Sequence, residues 1–145
     1  MIIKIKKLNP DAVIPKKAHP SDAGFDLTTV TDIKVDEDGN AVYKIGLAFE
    51  IPEGYAGFIF PRSSVSKEDL IMANCVGVVD AHYRGEVSVK YKLIPPIKHE
   101  EYHVYRKGER VGQMIIMPVP DVEFEEADEL SETDRGANGY GSTGK

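Results

Sequence analysis

Apolar and polar residues alternate along most of this chain with a period of two. From Tyr43 to Ile51 every second residue is apolar: Tyr43, Ile45, Leu47, Phe49 and Ile51. From Glu86 to Leu93 the alternation is cleaner, with Val87, Val89, Tyr91 and Leu93 on one face and Glu86, Ser88, Lys90 and Lys92 on the other. Successive strand side chains point to opposite faces, so this pattern predicts half-buried strands. Tyr55–Phe60, Val76–Val79 and Val111–Met117 are nearly continuous apolar runs and predict more deeply buried strands. Turn formers separate the runs at Asp36-Glu-Asp-Gly39, Pro52-Glu-Gly54, Pro95-Pro96 and Lys107-Gly108. Only Ser66–Ala73 suggests a helix, with Ser66 as N-cap and Asp69 at the third helical position. Many short strands with one short helix predict an all-β sandwich or barrel.

The C-terminal stretch changes character. Residues 121–134 carry Asp121, Glu123, Glu125, Glu126, Asp128, Glu129, Glu132 and Asp134 and few core residues. They read as an extended acidic arm or a solvated linker, with a reach of about 45 Å if fully extended. Residues 135–145, Arg-Gly-Ala-Asn-Gly-Tyr-Gly-Ser-Thr-Gly-Lys, hold four glycines and cannot build a core. Such a tail is either disordered or shaped to lie on a ligand. Arg135, Ser142, Thr143 and the backbone N–H groups around Gly141 suit phosphates, and the Tyr140 ring suits a nucleobase. The chain then divides into a β core over 1–120, the arm over 121–134 and a nucleotide-clamping tail over 135–145, all one domain.

Bulk composition narrows the classes. A length of 145 residues allows one domain with a real core, and 41% hydrophobic with 29% charged residues is ordinary for a globular chain. A net charge of −6 argues against non-specific nucleic-acid binding, though not against one small anionic ligand held by local arginines and a metal. No apolar run approaches a membrane span, and Met1-Ile-Ile-Lys-Ile-Lys-Lys is too short and too charged for a signal peptide. The one cysteine, Cys75, excludes an internal disulfide, suits a reducing, cytoplasmic setting, and is expected to be a buried structural thiol.

Two motif matches mislead. His99-Glu-Glu-Tyr-His103 fits the zinc-peptidase pattern, but that chemistry needs a helix, and Pro95-Pro96 and Lys107-Gly108 favour an extended run. Gly139–Lys145 fits most of a P-loop but lacks the Ser/Thr and helix that must follow.

Five short motifs occur in order: Ala23-Gly-Phe-Asp-Leu27, Pro61-Arg-Ser-Ser64, Asn74-Cys-Val-Gly-Val-Val-Asp-Ala-His-Tyr-Arg-Gly85, Gly108-Glu-Arg-Val-Gly-Gln113 and Arg135–Gly144. Each is weak alone. Together they resemble the trimeric dUTP pyrophosphatase (dUTPase) family over roughly residues 20–145. The resemblance implies a distorted β-barrel or jelly-roll subunit of the β-clip type and a homotrimer with sites at subunit interfaces. It also implies Mg²⁺-dependent hydrolysis of dUTP to dUMP and pyrophosphate.

Residue by residue, the resemblance makes Asp80 the base that activates the attacking water. Read alone, Asp80 could equally cap a turn. Tyr83 would pack under the deoxyribose and exclude a 2′-hydroxyl, while Asn74 and backbone near Val79 would read the uracil edge; a core Tyr and a turn Asn are the plain alternatives. A slot built for uracil leaves groups unpaired with cytosine. Arg62, Ser63 and Ser64 would hold the triphosphate, or simply cap the following helix. Gln113, a lone polar side chain in an apolar run, needs a partner, which the family supplies as a phosphate oxygen. Asp26 would hold Mg²⁺ through water, an ion that keeps waters and binds phosphate oxygens. Arg135, Ser142 and Thr143 would clamp the phosphates and Tyr140 would stack on uracil. Glu109 and Arg110 read as mainly structural. The chain departs from the pattern at Tyr140 (usually Phe), Asn138 (often Gly) and His82 (commonly Asp), none of which removes an essential group.

Two other functions fit the same motifs less well. A dCTP deaminase would need a glutamate about where Lys90 stands. A dUTP-gated regulatory binding protein would use the same motifs, but no large insertion offers it a docking surface.

Overall fold

The computed structural model describes residues 1–96 and 100–139. Ten strands carry the fold: β1 Lys4–Lys7, β2 Phe25–Thr28, β3 Lys34–Val35, β4 Asn40–Lys44, β5 Leu47–Glu50, β6 Tyr55–Phe60, β7 Leu70–Met72, β8 Gly77–Val79, β9 Ser88–Leu93 and β10 Arg110–Pro118. One sheet has the order β2-β10-β6-β8, a second β3-β4-β9-β7, and β1 pairs with β5 beside them. Every pairing is antiparallel. This is the all-β architecture that the alternation predicts, and it fits the jelly roll that the resemblance implies.

The inward faces make one core. Tyr43, Ile45, Leu47, Phe49 and Ile51 are all buried, as are Val87, Val89 and Tyr91 from the second alternating run. Tyr43, Tyr91 and Tyr105 meet edge-on or tilted at its centre, with ring centroids 5.8–6.0 Å apart, a favoured arrangement for aromatic rings. The Tyr91 hydroxyl donates to the Val111 carbonyl at 2.6 Å and ties β9 to β10 across the core.

The run from Tyr43 to Ile51 is two strands, not one. Gly46 lies between them with φ of +67°, and a Cβ there would fall 2.8 Å from Asn9 Cβ and 3.1 Å from Ala12 Cβ. The bend lets the 8–12 turn dock, with Leu8 N donating to Gly46 O at 2.8 Å.

The helix expected over Ser66–Ala73 is absent. A single 3₁₀ turn spans Ser63–Lys67, and β7 follows it. Leu70 and Met72 are buried while Ile71 is exposed, a period of two. Asp69 is spent elsewhere: its Oδ2 accepts from His103 N at 2.7 Å, and its own N–H donates to His103 O at 2.8 Å. Long-range pairing therefore wins over a near-complete capping box.

Two further expectations fail around β8. Cys75 is exposed instead of buried. In the run Val76–Val79 only Gly77 and Val79 face inward, and Val76 and Val78 stand in the open. The reason is position: β8 is the outer strand of its sheet, and residues 73–76 form the turn that enters it.

Beyond β10 the chain leaves the body. Val119 N donates to Gly54 O at 2.8 Å, and residues 120–139 are exposed without strand or helix. Phe124 and Leu130 are almost fully solvated. Among the described residues no helix is long and apolar enough to cross a membrane.

Candidate active site

The site residues gather in two clusters. The first surrounds a cavity of about 180 Å³ lined by Asn74, Val79, Asp80, Tyr83, Glu86 and Ser88 among others. Its origin lies in the topology. β8 belongs to one sheet and β9 to the other, so the two strands diverge instead of pairing and leave a slot between residues 77–79 and 86–88. β8 pairs only with β6, so its second edge carries backbone N–H and C=O groups that no strand takes up. Val79 turns its side chain into the core and contributes backbone at the slot.

Asp80 ends β8 at the mouth of this slot and is exposed. A turn follows it, with Tyr83 N donating to Asp80 O at 3.1 Å. The Arg84 guanidinium closes the turn by donating from Nη1 to the carbonyls of Ala81 and Tyr83. Tyr83 folds back, and its hydroxyl donates to Glu86 O at 3.0 Å. Its ring stays partly exposed, so it is no core tyrosine. His82 points away, with Nε2 3.5 Å from Glu53 Oε1 and both side chains solvated.

The second cluster is built on β2, β10 and the end of β6. Asp26 on β2 stands opposite Gln113 on β10, and Gln113 stands opposite Phe60 on β6. Arg62 Nε donates to Asp26 Oδ1 at 2.7 Å, and Arg110 Nη1 donates to Asp26 Oδ2 at 3.0 Å. Arg62 Nη1 also reaches Ser64 Oγ at 3.3 Å. Two guanidiniums about one carboxylate leave a net positive patch suited to phosphate. Gln113 Nε2 donates to Pro61 O at 3.0 Å, so this half-buried amide has a backbone carbonyl as a partner. Gly24 leaves room for it, because a Cβ at that position would collide with Gln113 Oε1. Ser63 is exposed at the start of the 3₁₀ turn, and its carbonyl accepts from Ser66 Oγ at 2.9 Å.

Arg110, read as mainly structural, shares Asp26 with Arg62 through an ion pair. Its place between Gly108 and Gln113, inside a motif, was the available signal. Glu109 is structural as expected: its carbonyl accepts from Thr29 N, and Oε2 accepts from Arg106 N. Arg135 lies exposed in the arm's final turn, where Nε donates to Asn138 O at 3.1 Å. Tyr140, Gly141, Ser142 and Thr143 lie outside the described residues, as does His99 of the zinc-peptidase match. Residues 100–105 contain no helix, and no group of three or more His, Cys, Asp or Glu among the described residues could hold a metal.

That donor chemistry still suits Mg²⁺. Both Asp26 oxygens already accept from guanidiniums, so Asp26 would reach Mg²⁺ through water rather than by direct coordination. Mg²⁺ dehydrates reluctantly and takes much of its shell from water and phosphate.

The two clusters are far apart on one chain. Asp26 is on one outer strand of the β2-β10-β6-β8 sheet, and Asp80 follows the other. Three strand spacings separate them sideways. Along β6 they are offset by about four residues, since Val79 stands opposite Gly57 and Gln113 opposite Phe60. Together these give about 19 Å. Two groups that far apart cannot act on one small reacting centre.

Comparison with known proteins gives a consistent picture. The family model described as dUTPase matches residues 10–144. The deoxyuridine 5'-triphosphate nucleotidohydrolase of Nautilia profundicola is 42% identical over 146 residues, covering 100% of both chains. Among solved structures, a Staphylococcus bacteriophage 80alpha dUTPase with dUpNHpp is similar with a TM-score of 0.79 and 28% identity, covering 99% of each chain. A dUTPase from phage phi11 of S. aureus, solved for its coordination of a structural Mg(II) ion, shares the fold with a TM-score of 0.74 at 24% identity, over 91% of this chain and 100% of that one.

Proposed function

The chain belongs to the dUTPase family and hydrolyses dUTP to dUMP and pyrophosphate, and from that premise we propose how its residues divide the work. The observation that carries the assignment is the pair of half-sites: a nucleoside slot ending in a carboxylate, and a cationic phosphate cluster that the same chain cannot bring to it.

In the slot, the free edge of β8 and Asn74 read the uracil edge, and the narrow gap between residues 77–79 and 86–88 excludes larger bases. Tyr83 lies under the deoxyribose. Asp80 takes a proton from the water that attacks the α-phosphorus; the new O–P bond forms as the bond to the β-phosphate oxygen breaks, and pyrophosphate leaves. A positioned base is typically worth about 10²–10⁴-fold. Arg62, Ser63, Ser64 and Gln113 bind the phosphate oxygens, and Gln113 exchanges Pro61 O for substrate. Asp26 holds Arg62 in aim and would hold Mg²⁺ through water. Mg²⁺, when bound, supplies a fixed phosphate geometry and offsets charge on the leaving group. Arg135, Tyr140, Gly141, Ser142 and Thr143 close over the nucleotide and keep bulk water out.

The separation of about 19 Å supports assembly: the slot of one copy needs the phosphate cluster of another, and the arm reaches far enough to bring a tail from a further one. A homotrimer with sites at its interfaces satisfies this, and light scattering at micromolar concentration tests it. The lone thiol suits a reducing, cytoplasmic setting.

The experiment is Mg²⁺-dependent pyrophosphate release with dUTP, dCTP, dTTP and UTP in parallel. Release from dUTP alone, giving dUMP, is expected. Turnover of UTP at a similar rate would contradict the role given to Tyr83, and release of deaminated product from dCTP would contradict the reading of the slot.

A further inference from the structure

The geometry points to Gly85 as a specificity-determining residue for the sugar, acting through Tyr83. The inference rests on the proposed packing of Tyr83 under the deoxyribose and adds what holds the ring there.

Tyr83 doubles back over the chain that follows it. Its hydroxyl is anchored on Glu86 O at 3.0 Å, three residues on. To make that bond the ring must cross residue 85. A Cβ at position 85 would meet the ring directly: 2.6 Å from Cζ, 3.0 Å from Cε2, and closest of all to the hydroxyl oxygen. Ordinary carbon contacts begin near 3.4 Å, so no side chain at 85 can coexist with this ring position.

The obstacle is the ring alone. Gly85 is not among the glycines with positive φ, so its backbone does not demand glycine. The other glycine of this motif, Gly77, would meet Asn74 Nδ2 at 3.3 Å and Ile59 Cβ at 3.4 Å, contacts that are tight but tolerable. At 85 the conflict is with a rigid aromatic that is 45% exposed and has solvent to move into. Any added Cβ therefore displaces the Tyr83 ring and breaks its bond to Glu86 O. Discrimination against a 2′-hydroxyl depends on where that ring stands, because steric exclusion fails when the wall can move. Gly85 is thus a positioning residue whose missing side chain sets ribose exclusion.

The test measures kcat/KM for dUTP and UTP in four proteins: wild type, Gly85→Ala, Tyr83→Ala and the double variant. Gly85→Ala should fold with a near-native Tm and lower the dUTP:UTP ratio by about tenfold or more, within the range one steric contact can give. In the Tyr83→Ala background the same substitution should change the ratio by less than about twofold, since the ring it acts on is gone. A wild-type ratio in Gly85→Ala beside a lowered ratio in Tyr83→Ala overturns the inference alone, as does an equal fall in both backgrounds. A wild-type ratio in Tyr83→Ala overturns the sugar-facing role of Tyr83 and the inference with it. Should Gly85→Ala not fold, Tyr83→Phe removes the anchor on Glu86 O and leaves the ring; it must lower the ratio by about threefold, the value of one hydrogen bond, and an unchanged ratio there overturns the proposal.

Discussion

Arg62 holds Asp26 through Nε at 2.7 Å and reaches Ser64 Oγ through Nη1 at 3.3 Å. Arg110 takes the second carboxylate oxygen at 3.0 Å. The arrangement fixes the plane of the Arg62 guanidinium from two sides. Lysine is a point charge and cannot hold Asp26 and a phosphate in one fixed geometry. Arg62→Lys should therefore lower kcat/KM by about 100-fold, read by steady-state kinetics with circular dichroism as the control for folding.

Asp26→Asn keeps the shape of that carboxylate and removes its charge. If Asp26 orders a water of the Mg²⁺ shell, the Mg²⁺ concentration for half-maximal activity should rise by about tenfold or more. A Mg²⁺ titration of initial rates checks this, and an unshifted midpoint would move the metal's contact elsewhere.

Asp80 stands exposed at the end of β8. Asp80→Asn should bind dUTP with near-native affinity in calorimetry yet turn it over at least about 100-fold more slowly. Wild-type turnover in this variant would remove Asp80 from the role of base.

The arm contributes nothing visible to the body's packing. Residues 120–139 are exposed, and the side-chain bond of Arg135 is local, to Asn138 O. Deleting residues 135–145 should leave Tm within about 2 °C of the full chain while removing most activity. An active truncation would contradict the clamp.

The tyrosine trio gives the chain an alkaline limit. Burial raises the hydroxyls of Tyr43, Tyr91 and Tyr105 above the ordinary tyrosine value. The folded state thus favours their protonated forms. Their contribution is complete below about pH 10, the unfolded value, and is lost as pH rises beyond it toward the folded values. Thermal melts should show a flat Tm from neutral to about pH 9.5 and a fall above pH 10. Tyr91→Phe leaves the Val111 carbonyl without its 2.6 Å donor and should cost about 1–3 kcal/mol at neutral pH. Tyr43→Phe should cost less, because the Tyr43 hydroxyl lies near the Tyr105 backbone without a well-formed hydrogen bond. Both variants should soften the alkaline fall.

How much of this was legible in the sequence follows from the range of the forces involved. The alternation at 43–51 and 86–93 placed the core correctly, because burial of one face is a local pattern. Gly46 was missed as a break, since its cause is a docking contact with Asn9 and Ala12, far along the chain. The false helix at 66–73 had the same origin: Asp69 looked like a capping residue until its long-range partner, His103, took it. Cys75 looked buried because apolar neighbours say nothing about being at a sheet's edge. The motifs named Asp80, Tyr83, Asp26, Arg62 and Gln113, but not that they fall into two groups. Strand order decides that, and it is invisible in spacing. Arg110 and Gly85 were within quoted motifs; one acts through an ion pair and the other through the absence of a side chain, and neither leaves a compositional trace.

The gap between Asp80 and Asp26 has a consequence for inheritance as well as for chemistry. A chain carrying Asp80→Asn keeps an intact phosphate cluster, and one carrying Arg62→Ala keeps an intact base. Each assembled alone is inactive. Unfolded together and refolded, they would form mixed particles in which one parent lends its carboxylate and the other its guanidinium, and turnover would return from two dead proteins. In the proposed assembly a lesion would be recessive or dominant according to which half-site it strikes in which copy, and the unit of function would be the seam and not the chain.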